Sequence, residues 1–254
     1  GVSSRLAKTA LAKFSNKKLD DIEKIWHGIE PPYKNLFEWL SNKGPIPEID
    51  LLKTFNPMML ANPITKTDFE NLSSSQFIAE WKWDGIRVQI ILGENTVKIF
   101  SRTGDDISQS FPEIKSSEDN MVILDGELLV GRNFIPLNFN SLQQRLNRKK
   151  VTQKHLDSFP AFIKLYDILY LNNEDLRDKT WKIRRSELEK WHKKNKNIFF
   201  DLSKVIKFND WNELSNIKQT KIIDDQHEGL MIKNEKSSYI PGRPKGYWYK
   251  WKKD

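Results

Sequence analysis

The chain contains no cysteine among its 254 residues. That absence excludes disulfides, thiol nucleophiles and every cysteine-ligated zinc site. Histidine is scarce as well: four scattered residues, no two at helical ligand spacing, argue against a histidine metal cluster. Any metal is therefore expected to be an oxygen-liking ion held by carboxylates, such as Mg²⁺ or Mn²⁺. No window approaches the roughly 18 to 20 consecutive apolar residues of a membrane-spanning helix, and the N-terminus lacks the basic, apolar, small-residue order of a signal peptide. The expected compartment is cytoplasmic, with no membrane partner. Internal repeats and low-complexity tracts are also lacking.

What is present suits a globular protein with a sizeable core, since 38% of the residues are hydrophobic in a mass of 30.0 kDa. A net charge of +8 and a pI near 9.4 favour a polyanionic partner, because a basic surface gains affinity by releasing counterions from phosphates. Many of the lysines fall in helical stretches such as Lys182 to Lys196, where a solvated helix face accounts for them. Most of the nine tryptophans read as core residues, leaving a minority free to stack on bases.

The early part of the chain has helical periodicity. Ser3 or Ser4 caps a run with Leu6, Ala10, Leu11 and Phe14 on one face, and Leu19, Ile22, Ile25 and Trp26 repeat the pattern. Pro31-Pro32 interrupts it, Tyr33 to Leu40 reads as another short helix, and residues 44–57, with Pro45, Pro47 and Pro57, read as a linker. From Phe77 onward the texture changes to strands: Phe77 to Trp83, Ile86 to Leu92, Thr96 to Ser101, Val122 to Val130 and Ala161 to Leu171. Helices are expected around Ser141 to Asn147, Thr180 to Lys194 and Trp211 to Asp224, followed by strands Gly229 to Lys233 and Gly246 to Trp251. The fold class is α+β, with largely antiparallel sheets and flanking helices, because Asp84-Gly85 and Gly93-Glu94-Asn95 read as short turns between successive strands.

Lys82 lies in Lys82-Trp83-Asp84-Gly85-Ile86-Arg87, between two apolar runs. The Asp-Gly pair is explained by a hairpin turn; the lysine is not. Lysine is a nucleophile only when its amine is neutral, a state that desolvation and neighbouring cations favour, here Arg87 with Lys250 and Lys252 if the fold brings them near. Leu124-Asp125-Gly126-Glu127-Leu128-Leu129 places carboxylates inside an apolar strand, where an unpartnered charge is costly, although a turn and a structural ion pair would also account for it. In Glu228-Gly229-Leu230-Met231-Ile232-Lys233, alternation sets Met231 and Lys233 against Leu230 and Ile232. In Trp248 to Asp254 it sets Lys250 and Lys252 against Trp251, as an edge strand blunted by lysines also would.

Taken in order, these segments resemble the ATP-dependent DNA ligases of the covalent nucleotidyltransferase superfamily. Lys82 to Arg87 is similar to motif I, Ser101-Arg102-Thr103 to motif Ia, Asp125-Gly126-Glu127 to motif III, Lys164 to Leu171 to motif IIIa, Glu228 to Lys233 to motif IV and Lys250 to Lys252 to motif V. Ser141 to Leu146, with Arg148-Lys149-Lys150 and the terminal Trp-Tyr-Lys-Trp-Lys, is similar to bacterial members in particular. The resemblance implies a nucleotidyltransferase (ATP-grasp-like ligase adenylation) fold over residues 58–254, preceded by a helical remnant of a DNA-binding domain over 1–43 and the linker over 44–57. It implies that Lys82 attacks the α-phosphorus of ATP to form lysyl-AMP, that AMP passes to a 5′-phosphate at a nick in double-stranded DNA, and that the 3′-hydroxyl then seals the strand. By the same resemblance Lys250 and Lys252 contact the α-phosphate, Arg87 and Arg102 the sugar or phosphates, and Glu127 and Glu228 support the sugar and the divalent metal. Lys233 belongs to the nucleotide pocket, Tyr166 stacks on adenine, and Glu80 accepts a hydrogen bond from its amino group.

An oligonucleotide-binding-fold domain with motif VI follows motif V in the family, whereas this sequence ends at Asp254. The expectation is a monomeric adenylation core that ligates poorly alone. Capping guanylyltransferases and RNA ligases share the Lys-x-Asp-Gly motif; Glu80 and the Gln143-Gln144-Arg145 segment weigh against them. NAD-dependent ligases carry a cysteine zinc module that this chain lacks. A basic DNA-binding module that has kept the fold without the chemistry is disfavoured by Lys82, Glu127, Glu228 and Lys250 all being present.

Overall fold

A computed structural model describes residues 4–29, 31–50, 54–94, 96–116, 118–146, 148, 150–221 and 227–253. Its backbone contacts divide the chain into two units, Gly1–Pro57 and Met58–Asp254. In the first, helices α1 (Ser4–Ser15), α2 (Leu19–Ile25) and α3 (Lys34–Leu40) enclose a small core of Ile22, Ile25, Leu36, Trp39 and Leu40, against which Leu11, Ala12 and Ile49 pack. The packed face of α1 keeps Leu11 but not the rest of the expected stripe. Leu6 and Ala10 are exposed and Phe14 is 90% exposed. Lys8, Leu11, Ala12 and Ser15 hold the i, i+3, i+4, i+7 stripe instead, with the Lys8 amine over the Trp26 ring and paired to Glu23.

The second unit is built on two sheets, mostly antiparallel. Strands β1 (Asn62–Pro63), β2 (Phe77–Trp83), β10 (Val205–Ile206), β11 (His227–Asn234) and β12 (Trp248–Lys252) form one, in the order β1-β12-β11-β2-β10. The other runs β4 (Thr96–Ser101), β3 (Ile86–Gly93), β5 (Val122–Arg132), β7 (Ala161–Leu171), β8 (Glu174–Asp175), with β6 (Ile135–Pro136) on β5 and β9 (Phe200–Leu202) on β7. Only β1–β12 and β7–β9 pair in parallel among the described strands. Helices α4 (Lys66–Asn71), α5 (Phe139–Gln143), α6 (Gln153–Ser158), α7 (Trp181–Lys194) and α8 (Trp211–Lys221) flank them. Thr180 caps α7 through Ile183 N–H, and Trp181, Leu188 and Trp191 are buried on its inner face. Residues 222–226, where the Trp211 helix was expected to end, lie outside the described residues. Among the described residues no helix is long and apolar enough to cross a membrane.

One expectation is overturned here. Asp84-Gly85 is not a hairpin turn, because β2 and β3 belong to different sheets and do not pair. The two residues carry the chain across from one sheet to the other. Gly85 lies so close to β5 that a Cβ there would meet the Leu128 carbonyl oxygen at 2.5 Å. The Gly93–Thr96 connection is the genuine hairpin, with those two residues paired.

Gly229 marks the irregularity where β11 shifts register between His227 and Leu230. Its φ of +129° is a glycine conformation, and a Cβ would lie 2.1 Å from the Trp251 carbonyl oxygen of β12. Gly229→Ala is expected to destabilise the unit by roughly 2–4 kcal/mol, combining strain and a backbone clash. Thermal melting of the variant checks this.

Candidate active site

Lys82 and Glu80 point from β2 to one side of the five-stranded sheet, while Ala79 and Trp81 point into the core on the other side with Leu230, Ile232 and Leu214. Register extends that polar side across the sheet. Glu80 is opposite Met231, Met231 opposite Lys250, and Gly229 opposite Lys252. The seven-stranded sheet contributes Arg87 from β3, Glu127 directly opposite it on β5, Tyr166 from β7, and Arg102 just beyond β4. These side chains line one cavity of about 410 Å³. All ten residues singled out from the sequence, Glu80, Lys82, Arg87, Arg102, Glu127, Tyr166, Glu228, Lys233, Lys250 and Lys252, border it.

At one part of the cavity the polar groups are buried and paired. Glu80 and Lys233, each 1% exposed, join through Nζ to Oε1 at 2.9 Å. The Lys233 amine lies 4.5 Å from the centre of the Tyr166 ring and 4.6 Å from that of Trp248. Arg87 donates from Nε and Nη2 to Asp125, from Nη1 to the Met59 carbonyl and from Nη2 to the Tyr239 hydroxyl. Burial, and then the Asp125 charge, pushes the Tyr166 phenol well above its ordinary range, so it remains neutral.

The Lys82 part is richer in positive charge. Lys82 Nζ donates to Glu228 Oε2 at 2.6 Å, and Lys252 Nζ lies 3.3 Å from the same oxygen. Burial raises the Glu228 carboxyl, but the hydrogen bond and charge of Lys82, with the charge of Lys252, outweigh it and leave the group below its usual range. Asp84 moves the other way, raised by burial and by a hydrogen bond shared with Glu228. Lys250 is lowered by partial burial and by the cations Lys252, Arg243, Lys82 and Arg102. Five cations against Asp84 and Glu228 suit a polyanionic ligand such as a polyphosphate.

Glu127 is pushed up to about 8 by burial, against the opposing pull of Lys82 and Arg87. Between the ordinary carboxylate range and pH 8 the folded chain holds a proton that the unfolded chain has released, so stability falls as pH rises through this window. Glu127→Gln should gain on the wild type in thermal melts run from pH 5 to 9 without nucleotide or metal, and parallel melting profiles would contradict the shift.

The sequence pattern did not single out Trp248, Asp84 and Arg243. Trp248 was accessible to it, because alternation with Lys250 and Lys252 puts all three on one face. Asp84 was absorbed by its turn reading, and Arg243, on the segment after Gly242, carries no periodic signal. Asp125 was legible as a carboxylate in an apolar strand, yet its partner Arg87 is on the neighbouring strand and Tyr239 is 114 residues away.

The two sheets together line one lysine-bearing cavity, and solved structures share this fold. The chain resembles the mycobacterial DNA ligase D complexed with ATP and MES at a TM-score of 0.62 and 23% identity, over 80% of this chain and 62% of that one. It resembles the ATP-dependent DNA ligase from bacteriophage T7 in complex with ATP at 0.59 and 21%, over 77% and 68% respectively. The family model for the ATP dependent DNA ligase domain matches residues 58–252, and the chain belongs to that family. A DNA ligase of Methanococcus aeolicus is 34% identical over 96% of this chain and 44% of its own length, and one of Methanothrix thermoacetophila is 28% identical over 98% and 45%. The chain thus spans less than half the length of these relatives.

Proposed function

We propose that this chain is the adenylation core of an ATP-dependent DNA ligase that seals nicks in double-stranded DNA, and that Lys82 carries the AMP. The observation that carries the reading is the position of the Lys82 amine, within one cavity between a buried, aromatic-flanked polar pocket and an array of cations. Adenine would enter beside Tyr166, with the Glu80 carboxylate accepting from its amino group, and the triphosphate would extend toward Lys250, Lys252 and Arg102. The Lys82 ammonium releases one proton to solvent, its nitrogen bonds to the α-phosphorus as the bond to the bridging oxygen breaks and pyrophosphate leaves, and a second N–H proton passes to solvent to leave the neutral phosphoramidate. Most of the rate gain comes from positioning and charge neutralisation.

A divalent cation fits the site. Glu127 and Glu228 share the cavity, and Glu127, whose ionised form is disfavoured there, would gain from a cation beside it. No group of three or more acidic or histidine side chains converges among the described residues. Mg²⁺ is commonly held by one or two carboxylates together with substrate phosphates, and Glu127 and Glu228 would be those carboxylates. When bound it would supply charge neutralisation at the phosphates.

Incubation with labelled ATP or GTP and Mg²⁺ tests the reading. Acid-labile covalent label from ATP alone is expected. Label from GTP, or none from ATP, overturns it.

A further inference from the structure

Beneath the cavity lie two buried carboxylates that face each other across neighbouring strands: Asp125 of β5 is the register partner of Asp167 of β7. Like charges so placed repel, and each is held by its own guanidinium, Asp125 by Arg87 and Asp167 by Arg184. Tyr239 stands between the two pairs. Its hydroxyl donates to Asp125 Oδ2 at 2.7 Å and accepts from Arg87 Nη2 at 3.2 Å, and its ring lies 5.7 Å from the Arg184 guanidinium and edge-on to Trp248. Burial, and then the Asp125 charge, holds the phenol protonated and therefore a donor.

Tyr239 also fixes the start of the segment that leads to Arg243. Its own N–H donates to the Arg177 carbonyl, and Gly242 pairs with the chain at Met58 to Leu60. The Arg87 guanidinium reaches that same stretch through the Met59 carbonyl, and Leu60 and Ala61 form part of the cavity wall. Four of the five Arg87 N–H donors are committed within the protein.

We propose that Tyr239 is a positioning residue for the nucleotide: its hydroxyl completes the Asp125–Arg87 clamp that sets the Leu60–Ala61 wall and the Arg243 segment around bound ATP. This rests on the adenylation reading above. Arg87 then serves ATP chiefly through the clamp, and Tyr239 through Arg87.

The test follows lysyl-AMP formation by the full chain against ATP concentration in a single turnover, for the wild type, Tyr239→Phe, Arg87→Lys and the double variant. Tyr239→Phe keeps the ring contacts and should weaken apparent ATP affinity about tenfold while the saturating rate changes less than about threefold. The double variant should bind ATP no more weakly than Arg87→Lys alone, because both break one clamp. If Tyr239→Phe fails to fold in thermal melts, Asp125→Asn should reproduce the same affinity loss. Unchanged affinity, a loss confined to the rate, or full additivity with Arg87→Lys overturns the inference alone. A wild type that neither binds nor is labelled by ATP overturns the adenylation reading as well.

Discussion

Lys82→Arg is expected to form no covalent AMP adduct while still binding ATP within a few-fold of the wild type. Arginine keeps a cation at the cavity and can still pair with Glu228, which in the wild type accepts from Lys82 at 2.6 Å. A guanidinium does not lose its proton in proteins, so it offers no lone pair to phosphorus. The rate of label formation should fall by roughly 10³-fold or more, with ATP affinity from tryptophan fluorescence nearly retained. Lys82→Ala removes the nucleophile and leaves Glu228 with Lys252 as its remaining lysine partner, so it should lose label and alter binding together. Label persisting in Lys82→Arg would move the nucleophile to another residue, and Lys250 or Lys252 would be the first to examine.

The second large effect is on stability. Asp167 and Arg184 are both fully buried and joined by two parallel hydrogen bonds, Nε to Oδ1 at 2.8 Å and Nη2 to Oδ2 at 3.0 Å. Arg184 Nη1 also donates to the carbonyls of Lys179 and Ser237, tying helix α7 to the segment that leads to Tyr239. Arg184→Met leaves a buried carboxylate uncompensated and directly opposite Asp125. The expected cost is about 3–5 kcal/mol. For a unit of this size that corresponds to a fall in Tm of about 10 °C. Restoring balance with Arg184→Met plus Asp167→Leu should recover much of the loss, since an apolar pair of similar volume often substitutes for a buried ion pair at little cost. A single variant that melts like the wild type would show that partners other than Arg184, such as the Ile168 N–H, suffice for Asp167.

Part of the site was legible because strand alternation sorts chemistry by parity, while Glu80, Arg102 and Tyr166 were singled out only through the family resemblance. Glu80 and Lys82, Met231 and Lys233, and Lys250 and Lys252 each fall on the face opposite Trp81, Leu230 and Trp251, and the cavity lies on the first of these faces. Local signals misled where they were degenerate. An Asp-Gly pair looks the same whether the chain reverses within one sheet or crosses to another, and only the pairing partners of Phe77–Trp83 and Ile86–Gly93 tell the two apart. Helix α1 failed similarly, because an exposed Phe14 and a half-buried Lys8 invert the simple apolar rule once Trp26 offers a ring to the lysine. Arg145, read within a family-like segment, turns out to be fully buried and to donate to the carbonyls of Phe159 and Ser110 and to Glu113, a structural use of that arginine.

By itself the sequence determined which residue types were available and which of them shared a strand face: no thiol, few histidines, a lysine beside an Asp-Gly pair, and carboxylates embedded in apolar strands. Only the tertiary structure decided which charge meets which. Lys82 and Glu228 are 146 residues apart and Arg87 and Tyr239 are 152 apart. Pairings at that range are set by sheet order and register, and register depends on side-chain packing across the whole sheet rather than on any local run of residues.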